Sequence, residues 1–319
     1  MRLDTNHNKG TFVSANLLQV AAIHVVALGV APFFFTGGAL LFAAASTLLF
    51  SYAMGIFHHM QLTHRSFKSA LWVENLGSLL GTLTWRGPFA GPVRYIAMHR
   101  VHHRYADTDL DPHSPVHGKF HALLGWFWRM PYGFVKFDRY APLAPDVIQN
   151  PWHVRLDRHV HLSQLLWGAL CFVGGAALPF LSGAGAPDPM NGLRYTIYGV
   201  FVRAFLTIYL VNAVDLINHT IGYRNYETPD GSTNSFLTAL LHGGGAVSWH
   251  NNHHAHMGYF TVRKQAWEFD LHHWILRVLQ SLGLVWDIRV LDEVRGTRAA
   301  PAAHEVEPEI EDTAKRTRG

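Results

Sequence analysis

The sequence predicts an all-α integral membrane protein, with four transmembrane helices arranged as two hairpins and a helical cap on the cytoplasmic side. Composition is the first reason: 49% of the 319 residues are hydrophobic and only 15% are charged, whereas a soluble domain carries about 25% charged residues. The second is the presence of four apolar runs, each of about the 20 residues that cross a bilayer as a helix. The third is that lysine and arginine are absent from both predicted hairpin tips.

The first predicted hairpin spans residues 11–57 and follows a polar segment at residues 1–10. Its helices are the apolar runs 11–35 and 39–57, and the break between them is Thr36-Gly37-Gly38. A cleavable signal peptide is an alternative interpretation of the first run. We favour a retained helix because the run is long and polar residues, rather than a basic start, precede it.

The second predicted hairpin spans residues 162–217. Its helices are the apolar runs 162–181 and 195–217, and a loop at residues 182–191 separates them. Loops rich in lysine and arginine stay on the cytoplasmic side of a membrane. Because neither hairpin tip carries such a residue, both termini and the cap are predicted to be cytoplasmic.

The cap is predicted to consist of residues 58–161 and 218–295, which hold many tryptophan and apolar side chains between polar ones. Residues 296–319, rich in glutamate, alanine, lysine and arginine, are predicted to form a disordered tail. The single cysteine, Cys171, excludes an intrachain disulfide and a cysteine-based metal site. The net charge of +4 is mild, and no nucleic-acid partner is predicted because no basic stripe with interleaved aromatic residues occurs.

Histidine is the unusual residue type, since the chain contains 23. His59 and His64 follow the second apolar run, and in a continued α-helix they would lie about 140° apart around the axis. Two triplets share the spacing His-x-x-His-His, which places three imidazoles on one helix face. These triplets are His99, His102 and His103, and His250, His253 and His254. His219, at the end of the fourth apolar run, can supply a ninth imidazole.

This constellation predicts a pair of metal ions. A single histidine is usually an ordinary surface or hydrogen-bonded residue, and we interpret the remaining histidines that way, including His58. Eight or nine imidazoles exceed the four ligands of one zinc ion and fit two ions with four or five ligands each. Imidazole suits zinc, copper, iron and nickel, and iron is favoured for one-electron chemistry with oxygen. The second ring nitrogens need partners, for which the candidates are Asp109, Asp111, Asp215, Glu227 and Asp270.

The three histidine motifs resemble those of the membrane fatty acid desaturases. Four flanking segments are similar to the stearoyl-CoA (delta-9) branch of that family, and the resemblance covers roughly residues 38–292. These segments are residues 63–68 after the first motif, 109–115 after the second, 219–226 after the fourth run and 267–270 after the third motif.

The resemblance implies a set of metal ligands and an activity. The nine ligands of the family fall on His59, His64, His99, His102, His103, His219, His250, His253 and His254. It implies two iron ions and the use of O2 as co-substrate to place a cis double bond in a saturated fatty acyl chain, on coenzyme A or in a membrane lipid. Because no flavin, nicotinamide or haem motif occurs in the sequence, an external electron donor such as ferredoxin or a b-type cytochrome is expected.

Two positions depart from the family pattern. Asp215 stands where the family usually has an asparagine that holds a metal-bound water. We hypothesise that Asp215 binds one metal directly or through water, and the alternative is a carboxylate that orients a histidine. Residues 244–248 also differ from the Gly-Glu-Gly run that the family commonly has before its third motif, with no consequence that the sequence defines.

Other residues are weaker candidates for function. Trp126, Trp128 and Trp152 could line an apolar channel for the acyl chain, although packing or interfacial anchoring is the ordinary role of such side chains. Arg203 lies within an apolar run, where an isolated charge costs at least ~2.5 kcal/mol. We therefore expect it to face the helix bundle in a structural role.

Two alternative functions are also compatible with the sequence. A membrane hydroxylase of the same metal class would insert oxygen rather than form a double bond, and the histidine motifs do not separate the two reactions. A metal transporter or sensor is the other alternative. Transporters place polar ligands near the bilayer midplane, whereas these histidines lie outside the apolar runs, so the desaturase interpretation is preferred.

Overall fold

The computed structural model describes residues 11–85, 87–294 and 296–299, and helices dominate among them. Four helices are long and apolar enough to cross a membrane, as predicted. In chain order we call them the first to the fourth span: Ser14–Phe34, Gly37–Thr63, Val160–Leu181 and Pro189–Asn218. The fourth span begins before its predicted apolar run because Asp188 caps it, accepting a hydrogen bond from the Met190 amide at 2.9 Å. The predicted polar segment 1–10 lies outside the described residues.

Three of the spans change from α- to π-helical hydrogen bonding along their length. The α-helical parts of the four spans are Ser14–His24, Gly37–Ala53, Val160–Leu181, Pro189–Thr196 and Arg203–Asn218. The π-helical parts are Val25–Val30, Met54–Thr63 and Ile197–Val202, and the first span ends in the 3₁₀ turn Ala31–Phe34. In a π-helix each amide bonds the carbonyl five residues back, and such segments often mark functional sites. The longest of the three carries His59.

Shorter helices form most of the chain outside the spans. Among the described residues these α-helices are Leu71–Leu83, Pro92–Tyr105, Lys119–Leu123, Phe137–Tyr140, Pro151–Arg158, Phe236–His242, His250–Ala255 and Leu271–Ser281. Short 3₁₀ turns connect several of them, at Gly87–Phe89, Pro115–His117, Gly125–Phe127, Tyr132–Phe134, Ala141–Leu143 and Val147–Gln149.

The described residues also form seven short strands, which the all-α prediction did not include. Thr11–Phe12 pairs antiparallel with Arg129–Met130, and Lys68–Ser69 pairs antiparallel with Val285–Trp286. Val290–Asp292 pairs in parallel with Thr261–Arg263 and antiparallel with Thr297–Ala299. Strands of two or three residues are too short to show the alternation that identifies a strand in a sequence. The last strand also corrects the start of the predicted tail, whose remaining residues from 300 onward lie outside the description.

The largest hydrophobic cluster lies beneath the helix Pro92–Tyr105. Val93, Ile96 and Ala97 on this helix are completely buried and belong to one cluster with Phe89 and Trp126. A proline at the first helical position fits the start of this helix, because its missing amide would have had no partner there. The cluster fixes the helix in rotation, so that the histidines on its remaining face point in a defined direction.

Arg203 is completely buried between spans and has the structural surroundings that the sequence predicts. Its guanidinium donates hydrogen bonds to the carbonyls of Gly199 at 2.7 Å, Leu83 at 2.5 Å and Thr84 at 3.2 Å. It also donates to the amide oxygen of Gln164 in the third span at 3.1 Å. The side chain therefore ties the third and fourth spans to the end of the helix Leu71–Leu83.

Candidate metal centre

The first histidine pair is positioned by the π-helical end of the second span. The amide of His64 bonds the carbonyl of His59, five residues back, at 3.2 Å. Residues five apart therefore share one side of the helix, and the two ring centroids are 4.9 Å apart. The expectation of about 140° between them was wrong because it assumed 3.6 residues per turn. His58 points away, with its Nε2 atom 3.0 Å from the Ser78 carbonyl.

The third motif, His-Asn-Asn-His-His, is fixed by its two asparagines. Asn252 is buried and donates to the carbonyl of Val262 at 2.8 Å and to the carboxylate of Glu268 at 3.0 Å. The Asn251 side-chain oxygen accepts from the amides of Asn225 at 2.8 Å and Tyr226 at 2.9 Å. These bonds hold one face of the helix His250–Ala255, so its histidines face the opposite way.

The structure brings all nine predicted ligands together in two groups. The first, which we call the five-histidine group, comprises His59, His64, His99, His103 and His253. The second, the four-histidine group, comprises His102, His219, His250 and His254. Within each group one ring nitrogen per residue lies within 4.8 Å of all the others. Helix Pro92–Tyr105 contributes to both groups, as does helix His250–Ala255, so the two groups are adjacent.

Nitrogen spacing and missing hydrogen bonds both fit bound metal ions. In the five-histidine group the Nε2 atoms of His99 and His103 lie 3.0 Å apart, and those of His59 and His253 lie 3.1 Å apart. In the other group the Nε2 atom of His250 lies 3.1 Å from that of His219 and from that of His254. Metal–nitrogen bonds of about 2.1 Å would place neighbouring ligand atoms roughly 3.0–3.4 Å apart.

Buried ring nitrogens without a hydrogen-bond partner are a second indication of bound metal ions. Among the described residues they include His64 Nδ1 and Nε2, His102 Nε2, His103 Nδ1, His250 Nδ1 and His253 Nδ1. A buried polar atom without a partner costs about 1–3 kcal/mol. An ion that accepts a lone pair removes this cost for His102 Nε2, whose Nδ1 already bonds Asp111, and for one ring nitrogen of His64. The Nδ1 atoms of His103, His250 and His253 are not explained in this way, because the Nε2 atoms of these rings face the groups. The all-imidazole donor set fits the implied metals.

Three carboxylates accept hydrogen bonds from ligands of the four-histidine group. His102 Nδ1 donates to Asp111 at 2.9 Å, His219 Nδ1 to Asp107 at 2.8 Å and His254 Nδ1 to Asp230 at 2.8 Å. Each bond fixes the proton on Nδ1 and leaves the Nε2 lone pair for a metal.

Only one of these three carboxylates, Asp111, was among the candidates from the sequence. Asp109 and Glu227 are exposed, and Asp270 caps the helix Leu271–Ser281 by accepting from the His273 amide at 2.8 Å. Sequence reasoning missed Asp107 and Asp230. No fixed spacing links Asp107 to His219 or Asp230 to His254, so only the fold could pair them.

The electrostatics of the metal-free site favour neutral imidazoles at most positions. Burial, reinforced by neighbouring imidazoles, lowers the pKa of His64, His99, His103 and His253 well below the usual value. His102 is different: burial opposes its charge, but the carboxylate of Asp111 outweighs burial and raises its pKa to about 9. A metal ion at the four-histidine group must therefore displace a proton from His102.

Asp215 belongs to neither histidine group. Its carboxylate lies 3.9 Å from His113 Nδ1, and it lines a cavity together with His59 and His99 of one group and His250 of the other. Both groups therefore border the same space. The cavity measures about 40 Å³, which is close to the space of one water molecule.

The tryptophans proposed for a substrate channel lie away from this cavity, whose lining includes none of them. Trp126 is buried and packs against Phe89, with ring centroids 4.5 Å apart. Trp152 donates from its indole nitrogen to the carbonyl of Asn75 at 2.9 Å, and Trp128 packs at the edge of the core. Their assignment to a channel stays a prediction.

Two further histidines were missed as parts of the site. His242 and His272 are buried and line the cavity, although neither belongs to a motif that would distinguish it from an ordinary histidine. Their positions become recognisable only once the helices that carry them are placed beside the second and fourth spans.

Comparison with known proteins places these features in context. Residues 31–280 match the family model described as fatty acid desaturase. An sn-2 palmitoyl-lipid 9-desaturase from Nostoc sp. (strain 36) is 31% identical over 84% of this chain and 87% of its own length. An sn-1 stearoyl-lipid 9-desaturase from Anabaena variabilis is 30% identical over 87% of this chain and 94% of its own. An acyl-CoA C20 delta5-desaturase from Anemone leveillei is 33% identical over 74% of this chain and 69% of its own.

Proposed function

The chain belongs to the fatty acid desaturase family, and from this premise we propose that it introduces a cis double bond, at the delta-9 position, into a saturated acyl chain through a non-haem di-iron centre. One observation carries the proposal: nine imidazoles gathered into groups of five and four that border one cavity. The numbers of ligands suit two ions, and imidazole is a common ligand of iron.

Iron bound in the two groups would supply one-electron chemistry with O2. The overall reaction removes two hydrogens from adjacent methylenes and reduces O2 to two waters, and it consumes two electrons and two protons. The electrons are proposed to come from an external donor such as ferredoxin or a b-type cytochrome. The relatives named above act on palmitoyl-lipid, stearoyl-lipid or acyl-CoA, which supports a fatty acyl substrate.

The chain's own residues hold the ligands and shape the space for the substrate. Asp107, Asp111 and Asp230 each keep a proton on Nδ1 of one histidine, so that Nε2 is free to bind. Met54, Val211 and Val214 give the cavity apolar walls beside the histidines. Such walls favour methylene groups over water, and orientation of one carbon pair beside the ions would set the position of the double bond.

The proposal keeps two features that the sequence predicts. Residues 58–161 and 218–295 would form a cytoplasmic cap, with both termini on the same side, because lysine and arginine concentrate there. Asp215 would bind a metal directly or through water, or else orient a histidine. Metal-site spectra of Asp215→Asn that match those of the native protein would count against direct ligation.

Lipid analysis of cells that express this chain tests the activity directly. A desaturase yields a new monounsaturated species two hydrogens lighter than its precursor, and the position of the double bond is read from its fragments. The His99→Ala variant serves as the inactive control. A product one oxygen heavier would instead indicate the related hydroxylase, and metal flux without any lipid product would favour a transporter.

A further inference from the structure

The helix Leu271–Ser281 exposes an apolar stripe although it already buries an apolar face. Its buried side carries Leu276 and His272, while Leu271, Trp274 and Val278 point outward with 42–60% of their surface exposed. Leu282 directly after the helix continues this stripe at 65% exposure. A helix on a soluble protein buries its apolar face and exposes its polar one. The outward stripe therefore indicates a medium other than water.

The helix Phe236–His242 also exposes an apolar stripe. Thr238, Ala239 and His242 are buried, whereas Phe236, Leu237 and Leu240 are 52–65% exposed. The exposed residues follow the spacing i, i+1 and i+4, which puts them on one side of the helix. Two neighbouring helices with outward apolar faces form a patch that water-soluble proteins rarely leave uncovered.

The helix Leu271–Ser281 also has a separate polar exposed face. Arg277 and Ser281 are exposed and lie beside the apolar stripe rather than within it. A buried, an apolar and a polar face together describe a helix that lies in a membrane surface, with the apolar side among acyl chains and the polar side toward head groups. Exposed tryptophan at such a boundary, here Trp274, is typical of membrane interfaces.

Both helices adjoin the membrane spans. His242 Nε2 lies 3.1 Å from the Leu210 carbonyl of the fourth span. The ring of His272 lies 4.8 Å from that of Tyr52 in the second span, which also exposes Leu48 and Leu49 one turn earlier. The apolar surface of the two helices is thus continuous with the side of a span that faces lipid.

The inner sides of the same helices wall the cavity at the histidine groups. His242 and His272 line it together with Asp215 and Tyr52. Gly243, at φ +77°, joins the first helix to the following turn, and a Cβ there would lie 2.8 Å from the Tyr52 hydroxyl and 3.0 Å from Leu271 Cβ. Tyr52 lines the cavity and Leu271 is exposed, so we call this close contact the seam between the cavity and the outside.

We propose that the helices Phe236–His242 and Leu271–Ser281 lie in the bilayer interface and that the acyl chain of a membrane lipid reaches the histidine groups from the bilayer, through the seam at Tyr52, Gly243 and Leu271. The inference rests on the proposed function and specifies its substrate as a chain resident in the membrane. Because the cavity holds only about 40 Å³, the two helices must separate from the second span to admit a chain.

Fluorescent labelling tests the position of the helices without any measurement of activity. Single cysteines are placed by Leu240→Cys or Trp274→Cys, with Ser281→Cys as the matched control, all in a Cys171→Ala background. The labelled full-length protein is reconstituted in phospholipid nanodiscs. Labels at 240 and 274 should be quenched by phospholipids brominated on their chains and protected from aqueous iodide, and the label at 281 should show the reverse.

Two results would overturn the interfacial placement. One is quenching by iodide at positions 240 and 274 to the same extent as at 281. The other is protection from both quenchers in a sample that crosslinks as a dimer, since a second copy would then cover the face.

Substrate presentation tests the path of the acyl chain. The reconstituted protein should desaturate saturated phospholipid of its own bilayer at least about tenfold faster than it desaturates added acyl-CoA. Leu240→Glu should reduce the rate on phospholipid about tenfold, because a charge among acyl chains is costly, whereas Ser281→Glu should not. Preference for acyl-CoA would overturn the path. If the labels are quenched as expected but no desaturated product forms, the proposed function is refuted and the interfacial placement is still supported.

Discussion

The surroundings of individual ligands differ between the two histidine groups. Three of the four ligands in the four-histidine group donate to a carboxylate. A cation lies near the five-histidine group: Arg100 donates to the carbonyls of Leu62 and Thr63, at 3.1 Å and 3.4 Å, directly before His64. Asp146 holds Arg100 through two bonds of 2.7 Å and 2.9 Å. A carboxylate partner increases the basicity of an imidazole ligand, so the four-histidine group should retain its ion more firmly.

Substitution of Asp111 or Asp230 by asparagine should weaken metal binding at the four-histidine group. Loss of such a partner typically lowers metal affinity about ten- to hundredfold. Metal content per chain, measured by mass spectrometry during titration with a chelator, should show one ion released earlier and the other unchanged. The exposed Asp138 provides the control Asp138→Asn. If both ions were lost equally early, or if the variants behaved like the control, the expected difference in metal retention between the two groups would be contradicted.

Asp270 should make stability depend on pH. Burial raises the pKa of this carboxyl to about 6, above an unfolded value of about 3.9. A carboxyl whose pKa is higher in the folded than in the unfolded state stabilises the fold below pH 4. This contribution of roughly 2–3 kcal/mol to the free energy of unfolding is lost as the pH rises from 4 to 6. Relative to the native chain, Asp270→Asn should therefore gain thermal stability over this window, as followed by unfolding in detergent. Parallel curves for the two proteins would show that Asp270 does not titrate as inferred.

At the residue scale, sequence reasoning identified the nine imidazoles and missed most of their partners. These candidate ligands were recognisable because His99, His102 and His103 carry a local spacing that is rare by chance. Asp107 and Asp230 carry no such signal, since each meets its histidine only through contacts between distant segments. Asp215 could be recognised as unusual, but its position beside the cavity depends on how the fourth span is rotated about its own axis.

Two local departures from regular helix geometry position the ligands. The π-helical segment Met54–Thr63 puts His59 and His64 on one side, which α-helical periodicity could not predict. The second departure is the turn before the helix His250–Ala255, where Gly243, Gly244 and Gly245 all have positive φ, at 77°, 78° and 70°. Residues 244–248 stood out in the sequence without an interpretation, and the structure supplies one: only glycine suits three left-handed residues in succession.

Gly244→Ala should disturb this turn and the third histidine motif with it. An added Cβ would lie 2.0 Å from the Phe269 carbonyl oxygen, so the backbone must move. We expect a loss of at least about 2 kcal/mol in stability together with reduced metal content, measured by thermal unfolding and mass spectrometry. Gly174→Ala is the control, because a Cβ there meets nothing within 4 Å. A Gly244→Ala protein with native stability and full metal content would refute this role.

At the scale of the whole molecule, the two groups join segments that are far apart in the chain. His59 lies at the end of the second span, His219 follows the fourth, and His253 lies still further on. The number of spans could be predicted because apolar runs are a local property. The seven short strands could not, because Thr11–Phe12 and Arg129–Met130 recognise each other only after the chain has folded.

Removal of metal should lower the stability of the whole protein. An ion that binds only the folded state adds RT ln(1 + [L]/Kd) to stability, and here it would also bind the buried Nε2 atom of His102, which has no hydrogen-bond partner. Treatment with a chelator should lower the midpoint of thermal unfolding, and addition of iron should restore it. The His99→Ala variant should lose much of this response. An identical midpoint with and without chelator would show that the groups fold independently of metal.

The order of the ligands along the chain determines when the centre can be completed during synthesis. A ribosome that has translated through His219 has already produced six of the nine imidazoles. Neither group is complete at that stage, because one still lacks His253 and the other lacks His250 and His254. Both sites are finished by the same short helix, late in translation and after all four spans have been made. Metal ions would thus have to be delivered after the four spans have been made, and a nascent chain stalled before residue 250 would be unable to retain a complete pair.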